Sequence, residues 1–545
     1  MANTLRRTLT SGPRVSPRRR LAGEALPLAL LLGGAAILAG LRLNDIFSLN
    51  GDNAWYVNLA RDLVTGRPYN NAGFPWGYPA LLAPGVALFG PANLRAEVPL
   101  LKGISVLAFL IAAALLYALF RTRHSRPVAA LTVALFVVND IALVYTNDLM
   151  SEMPYIAASA AALLYWQTHL AARPLLEGAT GDGDAALPAR GGGKAWVVAA
   201  LLLALPYYVR TIGLAMLAAP PMLLVWQRRW RAALLLGLAL AALAAPWAVF
   251  SSLTAPDRNY TASLLLRDPY HPELGKIADP GEFLGRFGDR AAFYSGSVLP
   301  GMLLPQPDDP TGPVRQAGGW LLLAAAVAGY IMRLVRRVEL PEVYVAGFVV
   351  ILCSWPWTGD RFLLPVFPFI LHYIAEVLTG LAGLVGRALR RPRVLAPVAV
   401  LLLALLMTPN LLQDRQAVAR NLDYLSGRSD GGVAAEDRMY LDACAWLAAN
   451  TPPDSRVLSR KSSVTELYAD RPSELIPLIP PEQFPDWLRA QGIAYVLEDS
   501  FPWSNHTVEH LRPAIRLYPG HFRLLYTIRP PSAELAPTRV WQFVP

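Results

Sequence analysis

Charge is scarce in this chain and cysteine almost absent. Only 16% of the 545 residues are Asp, Glu, Lys or Arg, where a soluble domain carries about 25%. The two cysteines, Cys353 in an apolar run and Cys444 in the tail beside Leu441 and Leu447, exclude a disulfide framework and a cysteine zinc site. Cys444 reads as a small core hydrophobe. Also missing are a Walker A run, G-x-G-x-x-G, H-E-x-x-H, and a G-x-S-x-G between strand and helix. ATP-driven transport, nicotinamide chemistry and zinc proteolysis therefore lose their usual support. There is no internal repeat.

What is abundant is hydrophobic sequence, 54% of the chain. Apolar runs of spanning length recur up to about Leu412 and then stop, the pattern of a polytopic membrane protein with a polar tail. The net charge of +10 does not point to nucleic acid. The basic residues cluster in short segments between apolar runs, as cytoplasmic loops do. Arg18, Arg19 and Arg20 precede the first run. Leu26–Leu43 exceeds the ~7–15 residues of a signal-peptide core, and more spans follow, so it is expected to stay as an uncleaved helix.

Eleven spans are expected, at 25–43, 97–120, 127–146, 153–171, 195–209, 211–226, 232–250, 318–335, 342–357, 362–383 and 394–412. Residues 195–226 read either as one helix broken near Pro206 or as two short ones. Only the split puts every basic cluster on one face: Arg121/Arg123/Arg126, Arg173/Arg190/Lys194, Arg228/Arg229/Arg231, Arg333/Arg336/Arg337 and Arg387–Arg393. The chain then divides into a basic cytoplasmic N-terminus (1–24), a transmembrane body (25–412) and an external domain (413–545). The external face holds loop 44–96, the turns at Glu152, Arg210 and Thr358–Arg361, loop 251–317 and the tail. The inside loop Glu177–Lys194, rich in Gly and Ala, reads as a flexible linker.

In the first external loop, Trp55, Tyr56, Leu59, Ala60 and Leu63 recur at helical spacing and predict a helix lying on the membrane, stopped by Gly66. Ala80–Phe89 is apolar but short, an interfacial or re-entrant piece. Loop 251–317 is too long for a passive connector and is a candidate lid. The tail predicts a small α/β domain. Its helices are Ala434–Ala449 and Pro481–Gln491, and its strands are Arg456–Ser459, Ala494–Glu498, Phe522–Ile528 and Arg539–Val544.

Asp52 stands at the start of the first-loop helix, beyond the first span, where a lipid-linked head group would lie. It is a candidate general base, and equally a helix N-cap. Glu152 would hold a metal, position an acceptor or bind a donor; as a first-turn acid it also suits the helix dipole. Asp148 competes for that role. Asp52 and Glu152 are the pair that would hold a divalent metal, if one is used. Arg210, beside Tyr207 and Tyr208, and Arg361, beside Trp355 and Trp357, sit at outer span ends where cations are less expected. They would clamp a phosphate bidentately, or snorkel to head groups. Tyr56 in the first loop and Tyr270, His271 and Lys276 in the long loop complete the substrate-binding candidates.

The order of these motifs resembles a known family. Asp52-Asn53-Ala54-Trp55-Tyr56 opens the first loop. Leu59-Ala60-Arg61-Asp62-Leu63, Gly66, Tyr69 and Gly77-Tyr78-Pro79 follow. Glu152 with Pro154, Arg210 with Gly213, and Arg361-Phe362-Leu363-Leu364-Pro365 with Pro368 complete it, and Trp446-Leu447-Ala448-Ala449-Asn450-Thr451-Pro452-Pro453-Asp454 marks the tail. Together they resemble the GT-C superfamily of membrane glycosyltransferases, in a bacterial branch similar to protein O-mannosyltransferases and aminoarabinose transferases. The resemblance implies a polyprenyl-phosphate sugar as donor, a periplasmic acceptor, membrane lipids around the site, and the first-loop Asp as base in an inverting transfer at the inner membrane. Many members have Asp-Glu in the first motif, where this chain has Asp52-Asn53. The rival from another class is a non-catalytic lipid-sugar flippase or assembly scaffold, which would need the arginines but no base.

Overall fold

The computed structural model describes residues 17–545 apart from 50, 70, 72, 90–93, 172–191, 255–259, 270, 272–273, 306–311 and 390–391. The linker expected at Glu177–Lys194 lies mostly outside the described residues. Among the described residues, six helices are long and apolar enough to cross a membrane: Glu24–Arg42, Val98–Arg121, Trp230–Thr254, Arg315–Arg336, Phe367–Ala388 and Pro397–Leu425. The expected span 127–146 is a pair, Arg126–Val137 and Asp140–Thr146, bent by 62°. Asn139 makes the break by capping the second piece, accepting from Ala142 N. The expected 153–171 is Glu152–Tyr165 continued by one wider turn, Trp166–Leu170. Gly192–Val209, Leu214–Trp226 and Leu340–Ser354 are shorter apolar helices. The protein is thus an α-helical, multi-pass membrane protein with a small mixed C-terminal domain.

The ambiguity at 195–226 is resolved as two helices, separated by Arg210 and the single turn Thr211–Gly213. Gly213 permits the tight reversal: a Cβ there would lie 2.4 Å from the Tyr207 backbone nitrogen. The apolar run ends near Leu412, but the helix Thr408–Leu425 carries on past it. Its polar side faces the first span. Arg42 pairs with Asp414 at 3.0 Å and Asp140 at 2.7 Å, and Asn421 donates to the Leu41 carbonyl at 2.9 Å. The soluble domain therefore begins after Leu425, later than the hydropathy boundary at 413.

Two of the basic loops expected on one face, those of Arg121–Arg126 and of Arg333, meet at one end. Arg123 donates to Glu339 at 2.6 Å and Glu342 at 2.9 Å, Arg333 reaches Glu339 at 2.9 Å, and Glu24 holds Arg121 and Arg126, each at 2.8 Å. His124 and His372 share a hydrogen bond of 2.7 Å beside them.

The first-loop helix is Asp52–Thr65, closed by Gly66 at φ 70° as its spacing predicts. It does not lie on a membrane surface. Nine of its residues are buried, because the apolar helix Gly77–Phe89 covers one side and the C-terminal domain the other. Asn58 donates to the Ser463 carbonyl at 2.9 Å and Arg61 pairs with Asp470 at 2.9 Å.

That domain is a five-stranded sheet in the order β2-β1-β3-β5-β4. Its strands are β1 (Arg456–Ser459), β2 (Ser473–Leu475), β3 (Ile493–Glu498), β4 (Phe522–Ile528) and β5 (Thr538–Phe543). β1 is parallel to β2 and β3, and β5 is antiparallel to β3 and β4. Phe484, Leu488, Val496, Leu511 and Phe522 fill one face, and Cys444 is buried, as expected of a small hydrophobe.

Close packing makes a direct test of the body. A Cβ at Gly329 would sit 2.1 Å from the Tyr373 carbonyl oxygen of the facing span, whereas one at Gly103 meets nothing within 4 Å. Gly329→Ala is expected to cost about 1–3 kcal/mol or more and to lower the melting temperature of the purified protein. Gly103→Ala should melt as wild type; equal behaviour of the two would refute this packing.

Candidate functional site

Four charged side chains from four separate chain segments meet at the end of the bundle opposite the basic loops. Asp52 is the first residue of the helix Asp52–Thr65, with Gly51 at φ 96° in the cap position. The capping place thus belongs to Gly51, and the Asp52 carboxylate turns to Arg361, 2.6 Å away. Glu152 likewise begins its helix, and Arg210 lies in the turn before Gly213. Arg210 and Glu152 form the second ion pair.

The two pairs share a floor and a centre. The Phe362 ring lies beneath both guanidinium groups, its centre 4.8 Å from Arg361 and 5.9 Å from Arg210. Tyr56, one turn beyond Asp52, shares a hydrogen bond of 2.8 Å with Ser151. Burial holds its phenol protonated, well above the usual range; Arg210 opposes this, and Asp52 and Glu152 reinforce it. Asp360 sets the Arg361 backbone, accepting from Arg361 N at 2.7 Å and from the Tyr145 hydroxyl at 3.0 Å.

The pairs differ in exposure. The side chains of Asp52 and Arg361 are 31% and 22% exposed, those of Glu152 and Arg210 0% and 14%. The second oxygen of Glu152, Oε2, is buried without a hydrogen-bond partner among the described residues. Asp148, the rival for its role, is bound elsewhere. It accepts from Asn53 Nδ2 at 3.1 Å and Leu149 N at 2.9 Å. This accounts for the Asp52-Asn53 departure: an amide facing Asp148 donates where a second carboxylate would repel.

The long loop contributes less than expected through its named polar residues. Tyr270 lies outside the described residues. Lys276 is exposed in a turn closed by the Leu266–Lys276 bridge, and His271 sits half-buried in the same turn. The loop instead brings Tyr260, which stacks on Trp355 at 4.3 Å and lies in the field of Arg210. Arg286 and Arg290 pin the loop to the Ser354 and Pro356 carbonyls, at 3.4 and 2.6 Å, just before Arg361. The sequence reading also missed Lys461 of the soluble domain, which donates to the Leu49 carbonyl. Its signal, a Lys after a short strand, is too common to single out.

The donor set does not fit a divalent cation. Each carboxylate is held by a guanidinium, and among the described residues no three His, Cys, Asp or Glu side chains converge. A hard cation takes several anionic or carbonyl oxygens that no guanidinium neutralises.

The helical body, the covered first-loop helix and the terminal α/β domain define the class: the chain has the GT-C fold. Over 95% of its length it is similar to ArnT from Cupriavidus metallidurans bound to undecaprenyl phosphate, covering 98% of that chain at 15% identity with a TM-score of 0.56. It is also similar to the oligosaccharyltransferase AglB from Archaeoglobus fulgidus, in complex with an inhibitory peptide and a dolichol-phosphate. There it covers 94% of this chain and 74% of that one, at 14% identity with a TM-score of 0.54. No protein-family model matches the chain, and no curated protein does.

The buried pair predicts a coupling. Arg210→Met leaves Glu152 charged, buried and unpaired, and should destabilise the protein by about 3–5 kcal/mol. Adding Glu152→Gln should restore most of that loss in thermal unfolding, because the uncompensated charge is gone. Additive losses in the double variant would show that the pair is not coupled.

Proposed function

We propose that the protein is a glycosyltransferase that moves a sugar from a polyprenyl-phosphate donor to an acceptor hydroxyl. The observation that carries this reading is the partly exposed Asp52–Arg361 pair, seated beside the buried Glu152–Arg210 pair. A carboxylate next to two guanidinium groups is what a phosphate leaving group and a hydroxyl nucleophile require together. The fold supports it: a relative of the same architecture binds undecaprenyl phosphate.

The reaction runs as follows. The donor phosphate engages Arg361 and Arg210, and Asp52 gives up its hold on Arg361. The freed carboxylate takes the proton of the acceptor hydroxyl. The acceptor oxygen bonds to the anomeric carbon from the face opposite the phosphate, the bond from that carbon to the phosphate oxygen breaks, and configuration inverts. The polyprenyl phosphate leaves with its charge matched by the arginines. Glu152 acts through Arg210, fixing its orientation, and Tyr56 lines the substrate side. Tyr260 and the loop behind it limit water, which would otherwise hydrolyse the donor. The positive-inside pattern supports an orientation with the basic loops in the cytoplasm and the site and C-terminal domain on the periplasmic side of a bacterial inner membrane.

Asp52→Asn should lower transfer by about 10²–10³-fold, while undecaprenyl phosphate still binds. Purified protein in nanodiscs with radiolabelled lipid-linked sugars reads both. Transfer at the wild-type rate by the variant would refute Asp52 as the base. Arg361→Ala should instead weaken lipid-phosphate binding itself, by about tenfold for one charge-assisted hydrogen bond.

A further inference from the structure

The soluble domain also brings a cation into the field of Asp52, Lys461. There the chain leaves β1 for β2 on one side and reaches β3 on the other. Loops at the carboxyl ends of two parallel strands that diverge in this way leave a crevice, the usual ligand site of an open α/β sheet. One loop carries Arg460 and Lys461 directly after β1; the other carries Phe501 and Trp503 shortly after β3.

The crevice has a distinct chemistry. Lys461 Nζ lies 4.8 Å from the centre of the Trp503 ring and 5.3 Å from that of Phe501, and the Arg460 guanidinium lies 5.3 Å from Trp503. Trp503 is 54% exposed. The loop that presents it is built in advance. Asp499 accepts from Phe501 N at 3.1 Å and from the Thr507 hydroxyl, and Arg512 donates to the Asp499 carbonyl at 2.8 Å. The loop after β1 also touches the chain just before Asp52: Lys461 holds the Leu49 carbonyl, Ser463 donates to the Gly51 carbonyl at 3.1 Å, and the Asp52 charge acts on Lys461.

An aromatic face beside two cations matches a sugar that bears an oxyanion. We propose that this crevice is the acceptor subsite. It takes a sugar carrying a phosphate or carboxylate, held by Arg460 and Lys461 through the anion and by Trp503 through the ring, with a hydroxyl presented to Asp52. The inference rests on the glycosyltransferase reading above and names its acceptor class. Burial pushes the Lys461 ammonium down to about 8, Arg460 adds to that, and Asp437, Asp499 and Asp52 oppose it. Its charge is lost as pH rises through that value, so anion binding weakens there.

Full-length protein in nanodiscs is titrated with glucose 6-phosphate, glucuronic acid and glucose, and binding is followed by saturation-transfer NMR. At least one of the anionic sugars should bind and glucose should not; the stronger of the two tells phosphate from carboxylate. Trp503→Ala and Arg460→Gln should each weaken that binding by about tenfold, Trp503→Phe should recover part of it, and wild-type binding should fall above pH 8. Thermal melting checks that each variant is folded. The subsite is overturned if neither anionic sugar binds, if glucose binds as well, or if folded variants bind as wild type does. Anionic-sugar binding by a wild type that transfers nothing from lipid-linked sugars would refute the glycosyltransferase reading and leave the crevice standing.

Discussion

The Asp52–Arg361 pair is the contact on which the rest of the site depends. A carboxylate whose oxygen is engaged by a guanidinium does not reach a hydroxyl proton, and a guanidinium held by a carboxylate is a poor phosphate clamp. An arriving phosphate relieves both conditions at once, because it takes the guanidinium and leaves the carboxylate without its partner. In the proposed reaction, donor binding and activation of the base are therefore one event, and water meets an inactive Asp52 while no donor is present. The exposure of the two ion pairs fits this division. Asp52 and Arg361 are partly open, so exchange with a substrate group is affordable, whereas Glu152 is fully buried beneath Arg210. A pair sealed in that way gains little stability from its charges after desolvation. What it supplies is a fixed guanidinium.

The groups are held by helix ends rather than helix faces. Asp52, Glu152 and Asp360 are each the first residue of a helix, where the positive end of the backbone dipole favours a carboxylate. Arg210 sits in the turn between two helices, and Arg361 is the second residue of the helix that Asp360 begins. The spans pack tightly enough to fix that turn: Gly213 and Gly77 both approach neighbouring backbone where no Cβ would fit. The far end is locked by Arg123, Arg333, Glu339 and Glu342, and the first span is tied to the last by Arg42 and Asp414.

The apolar runs and the basic clusters between them made the eleven helical segments legible, although among the described residues only six are long and apolar enough to cross a membrane as single helices. They missed the bend at Asn139, which a capping amide makes locally, and they placed the end of the last helix too early. Beyond Leu412 that helix is stabilised by Asn421 and Asp414 reaching the first span, contacts 370 or more positions apart in sequence. The first-loop helix showed its length and its Gly66 stop but not its burial, since both of its covers come from distant segments. The same limit governs the site. Asp52, Glu152, Arg210 and Arg361 were visible as charges out of place beside apolar runs. Which acid meets which arginine, and that Asn53 answers Asp148, depends on packing that no spacing encodes. His271 and Lys276 drew notice as polar residues in a long loop, while Tyr260 and Lys461 carried no local mark.

Asp52 stands where two bodies of the protein meet. The arginines come from the membrane helices, Lys461 comes from the soluble sheet, and the helix Asp52–Thr65 is packed between them. An inverting transfer needs the nucleophile and the leaving group on opposite sides of one carbon, with the base on the nucleophile's side. In the proposed reaction, a base at the wall between the arginine-bearing helices and the soluble domain satisfies that requirement through the fold itself. On that reading neither body alone would place a hydroxyl and a phosphate in line, so the docking of the soluble domain on the first loop would serve the chemistry as well as stability.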